Sequence, residues 1–302
     1  MVSYAVIGAS RGIGLEYVRQ LAGRQNAVVF AIVRDAQGST HLNAIVSGLK
    51  NVHIFEGDVT DYRSLEVRTF NMPTAPAFIL SRASMSAQRA AKQVRDVTGG
   101  TLDYLIHVAG RTDPETLYQA LDDYSWVLTK TCHSPSMDAL DEDCITAYKI
   151  NTLGVIHGIS AFLPLLRAGP TKNIVVLGSP AGDFRLTRAA SIGDMAVYSV
   201  SKAGGLVAAM KYAVKLKSEG FCVVLLSPGL VDTTGTIPGE LGAATGKALL
   251  DKWVAENSHG GPVAPCADPE ESVRDQLKVI DSLKTSDNGR FLTYTGDDYV
   301  MP

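Results

Sequence analysis

Residues 4–22 read YAVIGASRGIGLEYVRQLA, and the fold follows from how that stretch divides. Tyr4–Ile7 is a short apolar run and predicts a strand. Gly12–Ala22 spaces its apolar residues at a helical period and predicts a helix. Between them stands Gly8-Ala9-Ser10-Arg11-Gly12-Ile13-Gly14. A strand that turns through glycines directly into a helix is the first unit of an alternating α/β chain.

The same rhythm continues outward from this unit. Ala27–Val33 is continuously apolar, as expected for a strand covered on both faces. Val52–Phe55, Leu102–Val108, Asn173–Leu177, Cys222–Leu226 and Phe291–Tyr294 read as further strands. Helical stretches lie between them, notably Asp141–Leu166 and Ala196–Ser218. Strands alternating with helices predict a parallel sheet with right-handed crossovers. The expectation is a doubly wound Rossmann fold: seven parallel strands flanked by helices, in one domain over residues 1–302. Residues 234–269, rich in Gly, Pro and Ala, break the rhythm. They follow the sixth strand, at the sheet edge where such folds bind ligands, and are expected to supply a substrate lid.

Composition narrows the function. The chain has 302 residues, 46% of them apolar and 20% charged, with a formal net charge of −3. That suits a folded domain with a sizeable core and gives no basic run for nucleic acid or an anionic membrane. No apolar run approaches membrane-spanning length. Cys132, Cys144, Cys222 and Cys266 form no CxxC pair, and the six histidines are scattered, so no metal is expected. Reduced thiols and the absence of a cleavable leader pattern point to the cytoplasm.

The glycine turn lets backbone N–H groups approach a pyrophosphate, and the helix N-terminus behind it favours negative charge. It is read as a dinucleotide site. NAD-binding folds usually end the second strand in an acid that holds the ribose 2′-hydroxyl. Here the strand ends Ala31-Ile32-Val33-Arg34, with Arg11 in the glycine turn nearby. Two guanidinium groups suit a 2′-phosphate, so NADP(H) is expected over NAD(H). Asp35 leaves NAD open if the strand runs one or two residues further.

Tyr198-Ser199-Val200-Ser201-Lys202 is a YxxxK motif whose two named side chains share one helix face. Alone it means little. Its surroundings give it weight: Gly178-Ser179-Pro180-Ala181-Gly182 at the end of the fifth strand, Asn151 in the long helix, and Pro228-Gly229-Leu230-Val231-Asp232-Thr233 after the sixth strand. In this order, over nearly the whole chain, these motifs resemble the short-chain dehydrogenase/reductase family. The tail Gly289–Gly296 is similar to its carbonyl-reductase-like branch, which includes C-factor and sniffer-type proteins.

The resemblance implies roles. Tyr198 would protonate a substrate carbonyl oxygen during reduction. Lys202 would favour the phenolate and hold the nicotinamide ribose. Ser179 would hold and polarise the carbonyl. Asn151 would position a water leading from Lys202. Gly8, Ser10, Arg11, Gly12, Ile13, Gly14 and Arg34 would bind the phosphates. Asp58 and Val59 would meet the adenine, Ala109 and Gly110 would pass beside the cofactor, and Pro228, Gly229, Val231 and Thr233 would embrace its nicotinamide end. A small carbonyl or alcohol would be the substrate, and the family's frequent oligomers make a homo-oligomer plausible. Bland readings stand beside these: Arg11 and Arg34 as solvated charges, Asp58 as a turn former, Asn151 as a locally bonded helix residue, and the whole chain as a weakly active cofactor-binding regulator. His107 reads as structural, because the mechanism already has its acid.

Three features depart from the family pattern. Ile7 and His107 stand where it has Thr and Asn, so a polar tie between the first and fourth strands is expected to give way to apolar packing. The stretch from Ser179 to Tyr198 is long, which alters the pocket wall. The stretch from Asp58 to Gly110 is also long, and its excess matches Val67–Gln88, with helix-breaking Pro73 and Pro76. Without it, Tyr62–Glu66 would run into Arg89–Val94 as one amphipathic helix. This insertion is read as a retained intron, since a Val codon can begin with GT and a Gln codon can end in AG. Ser125–Pro135 carries a weaker version of the same suspicion.

Overall fold

The computed structural model describes residues 1–66, 89–112, 116–124, 137–237, 240–257 and 267–299. Seven strands form one parallel sheet in the order β3-β2-β1-β4-β5-β6-β7. They are β1 (Val2–Ile7), β2 (Ala27–Val33), β3 (Val52–Glu56), β4 (Tyr104–His107), β5 (Asn173–Leu177), β6 (Cys222–Ser227) and β7 (Phe291–Thr293). The order reverses between β1 and β4, the crevice where doubly wound sheets take their ligands.

Alternation along each strand divides the core in two. Ala5 and Ile7 of β1 point to one face, with Phe30 and Ile32 of β2. There they meet α4 (Ala90–Thr98), α6 (Gly154–Ala168) and α8 (Ala196–Leu216). Tyr4 and Val6 point to the other face, against Tyr17, Val18 and Leu21 of α1 (Gly12–Ala22) and Val273, Leu277 and Ile280 of α10 (Pro269–Ser282). α2 (Thr40–Val46) adds Leu42 to this second layer. Burial on both faces explains why β2 is apolar at every position.

Val67–Gln88 lies outside the described residues, but its two flanks do not. α3 (Tyr62–Leu65) stops at Glu66 and α4 begins after Arg89, and these two residues pair at 2.8 Å. Leu65, Ala90, Ala91 and Val94 enter the same core. The chain therefore leaves and rejoins one place on the surface. Ser125–Pro135, Cys132 and Cys266 also lie outside the described residues. Cys144 and Cys222 are free thiols, and burial pushes the Cys222 thiol up to about 12.

Two expectations need correction. The segment 234–269 is not simply a break in the rhythm, since it carries α9 (Glu240–Asn257), which packs on a short turn at Thr234–Thr236. The helical run Met137–Ala168 is long and apolar enough to cross a membrane, contrary to the reading that no such run exists. More than half of its most apolar stretch is buried against the sheet and α8, the setting of a core helix. Within that run, α5 (Met137–Tyr148) passes into α6 through a π-helical turn at Lys149–Leu153.

Candidate active site

Parallel strands place all their carboxyl ends along one edge, and the residues singled out by sequence collect there. Gly8 has φ +90, a conformation that side chains rarely adopt. A Cβ on Gly8 would stand 2.6 Å from the backbone of Ala109, and one on Gly14 would stand 2.0 Å from Gly8 O. The turn, the first turn of α1 and the Ala109–Gly110 loop thus close on one another without room for a side chain. Ser10 and Ile13 are half-buried on this turn, and Gly12 faces Thr233 from across the cleft. The Gly12 N–H donates to Thr236 Oγ1 at 2.9 Å.

Arg11 and Arg34 are both exposed, and their side chains make no hydrogen bond or ion pair with a described residue. Ile7 and Ile32 are register partners, so the turn bearing Arg11 and the residue Arg34 follow two neighbouring strands at the same edge of the sheet. β2 ends at Val33, which is buried. Asp35 lies past the strand, and its Oδ1 accepts from Gly38 N at 2.9 Å to close the turn before α2. Asp58 closes a turn as well, its Oδ1 accepting from Thr60 N and Thr60 Oγ1 at 2.8 Å each. The turn-former reading of Asp58 is therefore correct for one of its oxygens. Val59 is buried against Gly154.

Tyr198 and Lys202 stand one turn apart on α8, with Lys202 Nζ 5.7 Å from the centre of the Tyr198 ring. Lys202 is 9% exposed, and its ammonium donates to Leu177 O at 3.2 Å, at the end of β5. Ser179 follows two residues later. Its Oγ accepts from Ala181 N at 3.3 Å, which leaves the hydroxyl proton free to donate. Gly182 lets this serine turn lie on α8, since a Cβ there would be 2.7 Å from Ala203 N. Asn151 is buried in the π-helical turn. Its Oδ1 accepts from Arg111 N at 2.7 Å, and its Nδ2 donates to Ser201 Oγ at 2.9 Å. Asn151 Oδ1 and Lys202 Nζ both border Gly110, at 3.4 and 3.5 Å from the point its Cβ would take.

His107 is 1% exposed, and its Nε2 lies 3.0 Å from Gly154 O. Burial lowers its pKa to about 4, so it is neutral near pH 7 and donates to that carbonyl. At these two positions no polar side chain joins β1 to β4: Ile7 packs in the apolar core and offers β4 its backbone carbonyl. Val108 N and Ala109 N both donate to Ile7 O at 2.9 Å, while the histidine ties β4 to α6.

One cluster had no signal in the sequence. Arg111 meets Asp143 at 2.5 Å, and Tyr124 OH donates to Asp143 Oδ2 at 2.7 Å. Burial raises the Asp143 carboxyl, but the bonds from Tyr124 and Arg111 outweigh it and hold it below its ordinary value. Burial and the same carboxylate push the Tyr124 phenol up. Residues so far apart, outside any motif, meet only in the fold. The cluster braces the Arg111 peptide that Asn151 binds.

On the far side of the cleft, Pro228, Gly229 and Val231 follow β6. Val231 bridges to Ala267, and Gly229 has φ +78 with the Tyr294 ring 2.9 Å from where its Cβ would be.

Known proteins resemble this arrangement. The short chain dehydrogenase family model matches residues 80–239. The short-chain dehydrogenase/reductase atnB of an Arthrinium species is 33% identical over 297 residues, covering 98% of each chain. AacuF of Aspergillus aculeatus, described in the same words, is 31% identical over 300 residues and likewise covers 98% of each. Among solved structures, the carbonyl reductase Sniffer of D. melanogaster superposes with TM-score 0.67 at 20% identity, over 99% of this chain and 98% of its own. The NADPH-bound carbonyl reductase from chicken fatty liver gives 0.66 at 24% identity, over 99% and 93%. With an all-parallel seven-stranded sheet and relatives matched from end to end, this chain belongs to the short-chain dehydrogenase/reductase family of oxidoreductases.

Proposed function

We propose that the chain reduces a ketone or aldehyde to an alcohol with NADPH, and runs the reverse reaction under oxidising conditions. The observation that carries this reading is the Lys202 ammonium held beside the Tyr198 ring, on the helix against which the turn headed by Ser179 packs. When bound, the reduced nicotinamide supplies a hydride to the carbonyl carbon. The protein does the rest. Ser179 Oγ–H donates to the carbonyl oxygen and steadies the negative charge that builds there. Tyr198 OH gives its proton to that oxygen. Lys202, anchored on Leu177 O, stabilises the phenolate left behind. Asn151, braced by Arg111 and Ser201, borders the same space at Gly110 and lets water relay a proton to the site.

The preference for NADP(H) over NAD(H) rests on three features. Arg11 and Arg34 are exposed and unpaired among the described residues, the end of β2 carries no acid, and the Asp35 carboxylate is engaged at Gly38. A carbonyl reductase of the same fold holds NADPH. The glycine cradle fits a pyrophosphate because it excludes side chains on both sides. α9, beyond β6 and packed on the Thr234–Thr236 turn, serves in this proposal as the substrate lid.

Titrating intrinsic fluorescence with NADPH and NADH side by side tests the reading. NADPH should bind at least about 10-fold more tightly, as expected for a charge-assisted phosphate contact. Tyr198→Phe should lower kcat for a carbonyl substrate by about 100-fold or more and leave NADPH affinity within a few-fold. Equal binding of the two cofactors sinks the arginine assignment, and an active Tyr198→Phe sinks the mechanism.

A further inference from the structure

Three buried polar side chains that neither the motifs nor the proposed chemistry uses are bonded to one another in a row. Tyr17, Gln276 and Ser272 are all fully buried. Tyr17 OH, on α1, donates to Gln276 Oε1 on α10 at 2.7 Å. Gln276 Nε2 donates to Ser272 Oγ at 2.9 Å. Ser272 Oγ donates to the backbone carbonyl of Pro228 at 2.7 Å. Each hydroxyl proton is committed, and every bond points the same way, from the cofactor helix through α10 to the loop after β6. We propose that Ser272, with Gln276 and Tyr17 behind it, positions the Pro228–Thr233 loop and so sets how well the site grips the nicotinamide half of the cofactor. This rests on the NADP(H) reading above.

The physical argument has two parts. Burying these polar groups is unfavourable unless each finds a partner, and apolar side chains would pack α10 onto α1 without that cost. The chain of bonds therefore does something packing alone does not. Its last acceptor is the Pro228 carbonyl, and holding that oxygen toward α10 fixes the plane of the Pro228–Gly229 peptide. The loop hangs on the lead-in to the same helix at two more points. Ala267 N donates to Leu230 O at 2.7 Å, and Asp232 N donates to Ala267 O at 3.2 Å. At its far end, Thr233 meets Gly12 in the glycine turn. The loop thus spans from α10 to the cofactor turn, and Ser272 is its side-chain anchor on the α10 side.

The test compares Ser272→Ala with Ile280→Val, a packing variant two turns further along α10. Ile280 is also fully buried and has no bond to the loop. Two readouts are taken. In the unliganded protein, hydrogen exchange of residues 228–236 should speed up about 10-fold in Ser272→Ala relative to Ile280→Val. In titrations, Ser272→Ala should weaken NADPH binding about 5- to 10-fold, while 2′,5′-ADP, which lacks the nicotinamide, binds as in the wild type. Tyr17→Phe should shift both in the same direction by less. Equal exchange in Ser272→Ala and Ile280→Val overturns the proposal, as does an equal loss of affinity for NADPH and 2′,5′-ADP. A wild-type protein that binds no NADPH overturns the functional reading instead, and the exchange comparison still judges the anchor.

Discussion

At the scale of single residues, His107 ties stability to pH. Its folded pKa, about 4, lies below the ordinary value of 6.5 because water cannot reach it. Between those values the unfolded chain takes up a proton that the folded chain refuses. The contribution is present above pH 6.5 and is lost as pH falls toward 4. The shift corresponds to roughly 3 kcal/mol. Asp143 works in a lower window: its depressed carboxyl contributes above the ordinary value of 3.8 and fails below it. Urea midpoints for the wild type should therefore drop between pH 7 and 4.5, and His107→Asn should flatten that drop. Parallel pH profiles for the two proteins would show that His107 is not the group responsible.

Among elements, one exacting contact is between α8 and the π-helical turn. A Cβ on Gly205 would lie 2.6 Å from Asn151 O, and one on Gly204 would lie 2.5 Å from Thr152 Oγ1, which itself donates to Ser201 O at 2.7 Å. The helix bearing Tyr198 and Lys202 is thus set at a fixed distance from the turn bearing Asn151. Gly205→Ala is expected to cost roughly 1–3 kcal/mol and to lower kcat about 10-fold or more with little change in cofactor affinity, because overpacking moves the elements apart. Thermal melts and steady-state kinetics check it, and an unaltered kcat would mean the contact is slack. The Glu66–Arg89 pair makes a second prediction at this scale. Deleting residues 67–88 should leave a soluble, folded protein with a Tm at or above that of the full chain, since both flanks already enter one core. An insoluble deletion variant would show that the segment is required for folding.

At the scale of the molecule, the proposed cofactor site draws on both halves of the sheet. Gly8 and Arg34 come from the β1–β2 side, and Lys202, Ser179 and Pro228 come from the β5–β6 side. A ligand that spans them binds only the folded state and stabilises the whole domain. NADPH at about 100 times its Kd should add roughly 2.7 kcal/mol to the free energy of unfolding. The rise in Tm with NADPH concentration measures this, and a Tm that ignores NADPH speaks against a site built across the sheet.

What residues 4–22, the apolar runs and the ordered motifs determined by themselves was the family, the seven parallel strands and the residues gathered at their carboxyl ends. Those features are local in sequence: a strand period, a glycine turn, a YxxxK spacing on one helix face. The bounds of α1, β2 and β5 came out as read, because each is marked by residues inside it. The helix α9 went unread because Gly242-Ala243-Ala244-Thr245-Gly246 in its first turns weakens the apolar period. Only the tertiary structure decided that one oxygen of Asp35 is bonded at Gly38, that His107 is neutral and bonded to Gly154, and that Arg111, Asp143 and Tyr124 brace Asn151. It alone connects Tyr17 to Pro228 through α10. Each of these joins residues distant along the chain, and their partners are set by packing across layers, a relation no spacing along one strand or helix can encode.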